Sequence, residues 1–213
     1  MVSYTAPIAP LVADPQGLDA EIQRLQQLLG TELAWLSVSY GKAYRAARKD
    51  PANPKKSVYY PEVYAGKREY RDVLPNDNIV SQSFFYPTGP AVNPQRELLP
   101  GSLGLTQAVD LIFWANLERI APDVAHRIEH ELLLDVLRVL NEDGQLRVLR
   151  VFTTNEEIFR GFSLELVPET ALRHPYAGFR LQLELSVLNV LCASASWRPH
   201  TRLFESQFEI QFE

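Results

Sequence analysis

The stretch AVDLIFWANLERIAPDVAHRIEHELLLDVLRVLNEDGQLRVLRVFT, residues 108–153, decides the fold. It begins with an apolar strand, residues 109–117, and ends with a second strand, residues 146–153. Between them, the spacing of the apolar residues predicts a helix over residues 122–141. A helix joined to a strand on each side can cover the sheet that those strands join. The stretch therefore predicts a sheet with a helix packed against it.

The predicted helix has one apolar half and one charged half. At 100° per residue, one half carries these side chains: Ala125, Ile128, Leu132, Leu133, Val136, Leu137, Val139 and Leu140. The other half carries Arg127, Glu131, Asp135 and Arg138. Pro122 suits the first helical position, because the N–H that it lacks would have no partner there. This pattern is typical of a helix that buries one face against a sheet.

Outside this stretch the sequence predicts an extended arm, residues 1–16, and a single domain, residues 17–213. A second amphipathic helix is predicted at about residues 18–29, where leucine and isoleucine recur at helical spacing. Residues 179–187 alternate apolar and polar side chains, as in a half-buried antiparallel strand, and residues 204–212 repeat that pattern. Together these elements predict an α+β fold with a mostly antiparallel or mixed sheet packed by two main helices.

Two long loops are predicted within the domain. Residues 48–57, RKDPANPKKS, are basic and interrupted by prolines, and residues 87–107 contain several prolines and glycines without any periodicity. Loops of this kind in a compact domain are often functional. The basic residues Arg48, Lys49, Lys55 and Lys56 form a local patch that is either simply solvated or in contact with an acidic surface.

Composition narrows the function classes. The chain has 213 residues, 46% of them hydrophobic, and a formal net charge of -5, which argues against a general nucleic-acid binder. Its one cysteine, Cys192, excludes an internal disulfide and is expected to be a buried, inert thiol. No run approaches the ~20 apolar residues of a membrane span.

One short motif points to an enzyme. His126, Glu129 and His130 match the H-x-x-E-H pattern of inverted zinc metallopeptidases. On a helix both histidines would share a face and bind one metal ion, with Glu129 as general base and Glu205 or Glu209 as a third ligand. The alternative is that they are half-exposed helix histidines without a ligand. A match of five residues arises easily by chance, so we predict neither a catalytic site nor a cofactor.

The order of elements resembles that of tail terminator (tail completion) proteins of long-tailed bacteriophages. The resemblance covers most of the chain, and three segments carry it: SVSYGKAYR (37–45), VDLIFWANL (109–117) and HPYAGFRLQLELSV (174–187). Its most specific part is the turn at Tyr176-Ala-Gly-Phe-Arg-Leu that leads into the alternating strand.

This resemblance implies a structural virion protein rather than an enzyme. Copies of the chain are expected to form a ring, commonly a hexamer, that assembles in the host cytoplasm, caps the tail tube and joins it to neck proteins, with DNA passing through the lumen. The candidate interface residues are the basic Arg48, Lys49, Lys55 and Lys56, the aromatic Tyr59, Phe84, Phe85 and Tyr86, and the acidic Glu205 and Glu209. The basic and acidic groups are expected to meet between neighbouring copies. Two alternatives stay open: the zinc hydrolase, and a cytoplasmic ligand-binding or adaptor domain.

Overall fold

The structure is a computed structural model of the chain and describes residues 7–50, 53–92, 104–142, 146–167 and 169–188. The helices are α1 (Leu18–Glu32), α2 (Leu117–Ile120), α3 (Glu129–Asn141) and α4 (Asn155–Ile158). The strands are β1 (Val38–Lys49), β2 (Ser57–Gly66), β3 (Glu69–Asp72), β4 (Ser81–Pro87), β5 (Gly104–Asn116), β6 (Leu146–Phe152) and β7 (Tyr176–Leu188). Two 3₁₀ turns, Leu164–Leu166 and Glu169–Leu172, precede β7.

The described strands form one mixed sheet in the order β3-β2-β1-β4-β5-β7-β6. Neighbouring strands are antiparallel except β1 and β4, which are parallel. The strands that flank α3 do join the same sheet as predicted, but β7 lies between them. With two substantial helices, α1 and α3, the predicted α+β fold is confirmed.

Helices α1 and α3 cover one face of the sheet. Their apolar stripes pack against alternate residues of the central strands, such as Phe85 of β4, Leu111 and Phe113 of β5, and Leu181 of β7. The rings of Phe113 and Phe179 stack here with their centroids 4.8 Å apart. This is the core that the periodicities predict, because period 3.6 in a helix and period 2 in a strand both select one face.

The second face is also buried, under the segment that connects β6 to β7. Ile158 and Phe159 at the end of α4 pack into a cluster with Phe84 and Trp114, and the Trp114 and Phe159 rings are 5.2 Å apart. Strands β4, β5 and β7 are therefore covered on both sides, which explains why residues 109–117 read as an almost continuous apolar run. The half-buried strand expected for residues 179–187 is β7, yet its Arg180, expected on the wet face, is only 2% exposed.

The two main helices differ from their predicted bounds at one end each. Helix α3 begins at Glu129 and not at Pro122. Residues 122–127 are exposed, so the apolar residues Val124 and Ala125 gain nothing from a helical conformation there. Helix α1 continues past Gly30 to Glu32. Gly30 does not end the helix. It allows the N-terminal arm to approach α1 closely, because a Cβ at this position would lie 2.6 Å from Ile8 Cγ1.

The described part of the N-terminal arm packs against the domain. Ala9 N donates to Ser39 O at 3.0 Å, and Ser39 N donates to Pro7 O at 2.6 Å. The buried side chain of Gln26 in α1 secures this contact, since its Nε2 donates to Ala9 O and to Ser39 O at 3.1 and 3.0 Å. The arm thus takes the place beside the start of β1, where β2 does not yet pair. Residues 1–6 lie outside the described residues.

A buried ion pair crosses the two longest strands on the second face. Arg180 Nε lies 3.5 Å from Asp110 Oδ2, and each side chain is 3% exposed. Arg180 also donates to the backbone oxygen of Glu157 at 2.5 Å and lies 4.6 Å from the Phe152 ring centroid. Burial raises the pKa of Asp110, although the charge of Arg180 opposes that shift. The pair therefore ties β5 and β7 to the segment that covers them.

Removing one partner of this pair is expected to be more harmful than removing both. Asp110→Leu or Arg180→Met alone leaves a buried charge without its counter-charge and lowers the free energy of unfolding by about 3–5 kcal/mol. The double substitution removes both charges and is expected to recover a large part of that loss. Equilibrium urea unfolding of the four proteins measures these differences.

Arg147 and Glu184 provide the control pair. They also lie across two strands of the sheet, 3.7 Å apart, but their side chains are 78% and 37% exposed. Alanine at either position is expected to change the free energy of unfolding by about 0–1 kcal/mol. A double variant of the buried pair as unstable as the sum of its single variants would contradict the account.

Candidate interaction surface

Strands β1 and β2 extend into a two-stranded hairpin beyond the body of the sheet. Strand β4 pairs with β1 only as far as Lys42, whereas β2 pairs with β1 from Ala43 to Lys49. Among the described strands, the outer part of β1 therefore pairs with β2 alone. Its side chains from Tyr44 to Lys49 are exposed apart from Ala46, which is half-buried. The hairpin offers a surface that the described part of the chain leaves largely uncovered.

Positive charge is concentrated on this hairpin. Residues 42–60 contain six lysines and arginines and one acidic residue, Asp50, in a chain whose net charge is -5. We call Arg45, Arg48, Lys49, Lys55 and Lys56, with the tyrosines 59 and 60, the cationic hairpin. Charge of one sign on a projecting element favours contact with an acidic surface.

Two arginines of the cationic hairpin lie over tyrosine rings of the opposite strand. The guanidinium carbon of Arg45 is 3.7 Å from the Tyr59 ring centroid, and that of Arg48 is 5.1 Å from the Tyr60 centroid. Each pair is diagonal across the antiparallel ladder, where Ala47 pairs with Tyr59 and Ala46 with Tyr60. Such contacts contribute about 0.5–1 kcal/mol at exposed sites and favour one position of each guanidinium group over its ring.

The hairpin is also fixed to the segment that covers the second face. Ser163 N donates to Tyr59 O at 2.8 Å, and Tyr59 N donates to Ser163 Oγ at 3.0 Å. Lys56 Nζ lies 2.6 Å from Glu165 Oε1, and this hydrogen bond raises the pKa of Lys56. The end of the cationic hairpin near its turn is therefore positioned by the body of the protein, while its cations stay exposed.

The structure sorts the predicted interface residues into three groups. Arg48, Lys49, Lys55, Lys56 and Tyr59 all lie on the hairpin and are exposed. Glu205 and Glu209 lie outside the described residues. The third group is the aromatic run 84–86, which lies in β4. Arg45, which was not among the candidate residues, is also exposed on the hairpin, and the half-buried ring of Tyr60 lies beside Arg48.

The expectation that Phe84 and Phe85 are exposed is wrong. They are 1% and 0% exposed and belong to the two different cores, because β4 lies between β1 and β5 and is covered on both faces. Tyr86 is half-buried, with its ring 4.8 Å from that of Phe162. An aromatic run in an interior strand alternates between cores and does not form a surface.

The arrangement expected for a metal site is also not found. Helix α3 begins after His126, so His126 and His130 are not one turn apart on a common helix. His126 is exposed, and its Nε2 lies 3.3 Å from Glu131 Oε1. Within the ranges that the structure describes, no three histidine, cysteine, aspartate or glutamate side chains are grouped as metal ligands.

A small cavity lies on the α1 side, at the base of the hairpin. Its volume is about 50 Å³, and Asp19, Lys42, Tyr44, Tyr64 and Tyr70 are among its lining residues. Lys42 Nζ and Asp19 Oδ1 are 2.7 Å apart, and the Tyr44 and Tyr70 rings meet edge to face at 5.7 Å. Ligand pockets usually measure several hundred cubic ångströms, so this space holds water more readily than a small organic molecule.

Comparisons of the chain with protein-family models, with curated proteins and with solved structures found no match. In the described part of the chain, no helix has both the length and the apolar character that crossing a membrane requires.

Core and surface aromatics are expected to respond differently to alanine. Phe85→Ala removes a fully buried ring and is expected to lower the free energy of unfolding by about 3–5 kcal/mol. Tyr59→Ala removes an exposed ring and a cation–π contact, with an expected loss of about 1 kcal/mol or less. Chemical denaturation of both variants measures the difference. Equal losses would show that Tyr59 is part of the core, in conflict with the surface described above.

Proposed function

We propose that the chain is a structural subunit of a phage-type tail, a tail terminator or a neighbouring connector. Copies of it assemble into a ring, expected to be a hexamer, that caps the tail tube and joins it to neck proteins. The proposal rests on the order of elements along the chain and on the surfaces that the fold leaves uncovered. It assigns the protein to virion assembly and to no chemical reaction.

The cationic hairpin is the observation that carries the proposal. A ring of identical subunits needs two different surfaces on each subunit, because each copy contacts one neighbour with one surface and the next neighbour with the other. The hairpin strands β1 and β2 lie toward one end of the sheet order, and β6 lies at the opposite end. A subunit with distinct surfaces at opposite ends of its sheet is suited to such head-to-tail contacts.

Charge supports the same arrangement. The excess of acidic residues elsewhere in the chain offers partners for the cationic hairpin of a neighbouring copy. Complementary charges at an interface mainly set its orientation and speed its formation. A net charge of -5 also disfavours retention of DNA in the lumen.

Charge reversal at the tip of the hairpin tests the proposal. Lys55→Glu/Lys56→Glu is expected to weaken binding to purified tail tubes and to other copies by roughly tenfold or more, because like charges then face each other. Both lysines are exposed, and so is the Lys56–Glu165 ion pair that the change removes, so circular dichroism is expected to stay unchanged and the unfolding midpoint to fall only slightly. Co-sedimentation with tail tubes over a protein concentration series measures the binding.

Lys67→Glu/Arg68→Glu is the matched control. These residues form the turn between β2 and β3, are exposed, and undergo the same change of charge. This control is expected to bind as the unmodified protein does. Equal binding by the Lys55/Lys56 variant and the unmodified protein would reject the hairpin as the interface. Equal weakening of binding in both variants would show that the net charge of the protein, and not the position of the lysines, causes the effect.

A further inference from the structure

Strand β6 has an open edge that the described part of the chain leaves unpaired. It is the last strand of the sheet order and pairs with β7 alone. Three of its apolar side chains, Val148, Leu149 and Val151, are 36%, 44% and 41% exposed. Its seven residues, LRVLRVF, include neither proline, glycine nor lysine. An apolar edge strand of this kind is a template for another strand.

The strand at the other end of the sheet is protected against pairing with a further strand, whereas the edge of β6 is open. Strand β3 has four residues, Glu69–Asp72, and three of them are charged. Short length and charge are the usual means by which an edge strand avoids pairing. Strand β6 is longer and more apolar, and it is interrupted by two arginines and by a shift of register between Val148 and Arg150. The two ends of the sheet therefore differ in how well their edges are protected against pairing with a further strand.

The two faces of β6 differ in chemistry. Val148 and Val151 pair in register with Leu183 and Leu181, which belong to the core under the helices. Arg147 pairs with Glu184, and Arg150 with Gln182, on the opposite face. Arg150 is exposed and makes no ion pair with any residue that the structure describes. A strand that fits this edge needs apolar side chains on one face and acidic side chains on the other.

We propose that residues 204–213 of the same chain add to β6 as an eighth strand. This segment, FESQFEIQFE, has phenylalanine or isoleucine at 204, 208, 210 and 212. Glutamates at 205, 209 and 213 occupy the alternate positions. Its apolar face matches Val148 and Val151, and its acidic face matches Arg147 and Arg150. The pairing does not depend on the proposed assembly.

The length of chain between β7 and this segment allows the pairing. Strand β7 ends at Leu188, and Leu185 pairs with Leu146 at the start of β6, so the chain leaves the sheet beside that strand. The position outside β6 is two strand spacings from β7, roughly 10 Å. The intervening residues 189–203 span up to roughly 50 Å when extended, which permits either direction. A short tether gives an effective concentration of the order of millimolar, which favours the chain's own edge over that of a neighbour.

Hydrogen–deuterium exchange of the full-length protein tests this pairing. Phe208→Asp/Ile210→Asp places charge on the apolar face of the segment, and amides in the β6 peptide are expected to exchange roughly tenfold faster. Gln207→Asp/Gln211→Asp adds the same charge to the acidic face, toward the arginines, and is expected to leave exchange unchanged or slower. Peptides from β5 and β7 report in the same spectra that the core stays folded.

Three results would overturn the proposal. The first is unchanged exchange in β6 for the Phe208/Ile210 variant, and the second is equal acceleration in both variants. The third is faster exchange in the unmodified protein on dilution, which would mean that a neighbouring copy supplies the segment. If the Phe208/Ile210 variant fails to fold, disulfide formation provides the test. Three variants in a Cys192→Ser background combine Val151→Cys with one further cysteine, which replaces residue 206, 208 or 210. An internal disulfide in one of the three supports the pairing, and its absence from all three rejects it.

Discussion

The pairing of β5 with β7 is the constraint on which the rest of this fold depends. Thirteen residues of each strand are in register, from Gly104 with Leu188 to Asn116 with Tyr176. A slip of one residue would exchange the two cores and separate Asp110 from Arg180. Gly178 fixes the same register, because a Cβ there would lie 2.4 Å from Trp114 Cε3 and 2.6 Å from Phe113 O. The close fit and the ion pair therefore act together.

Covering this pair on both faces decides where the protein can interact. Helices α1 and α3 cover one face, and the segment from α4 to the second 3₁₀ turn covers the other, so the middle of the sheet is not accessible. Among the residues that the structure describes, the two ends of the sheet stay uncovered: the cationic hairpin of β1 and β2, and the open edge of β6. The proposed assembly uses the first, and the proposed eighth strand would cover the second. Both proposals rest on side chains that neither core buries.

The sequence predicts best the elements whose signal is local. The stripe from Ile128 to Leu140, helix α1 and the alternation in β7 each reflect a single periodicity, and the structure confirms them. Contacts with distant segments are not visible in this way. Alternation assigned Arg180 to a wet face, but residues 154–172 cover that face, and nothing near Arg180 indicates it. Phe84 and Phe85 looked like a surface pair for the same reason: an interior strand and an edge strand can share one pattern. The basic residues of the candidate surface were predicted from their charge, whereas the contact of Arg45 with the Tyr59 ring became apparent only from the pairing of β1 with β2.

The central claim is that this chain assembles with copies of itself into a closed structure. Native mass spectrometry of the purified full-length protein, over a concentration series reaching tens of micromolar, tests it most directly. The account predicts a single closed oligomer, with a hexamer as the expected number, and rings of one size in electron micrographs of the same sample. A strict monomer at the highest concentration, with β6 and the hairpin both intact, would contradict it.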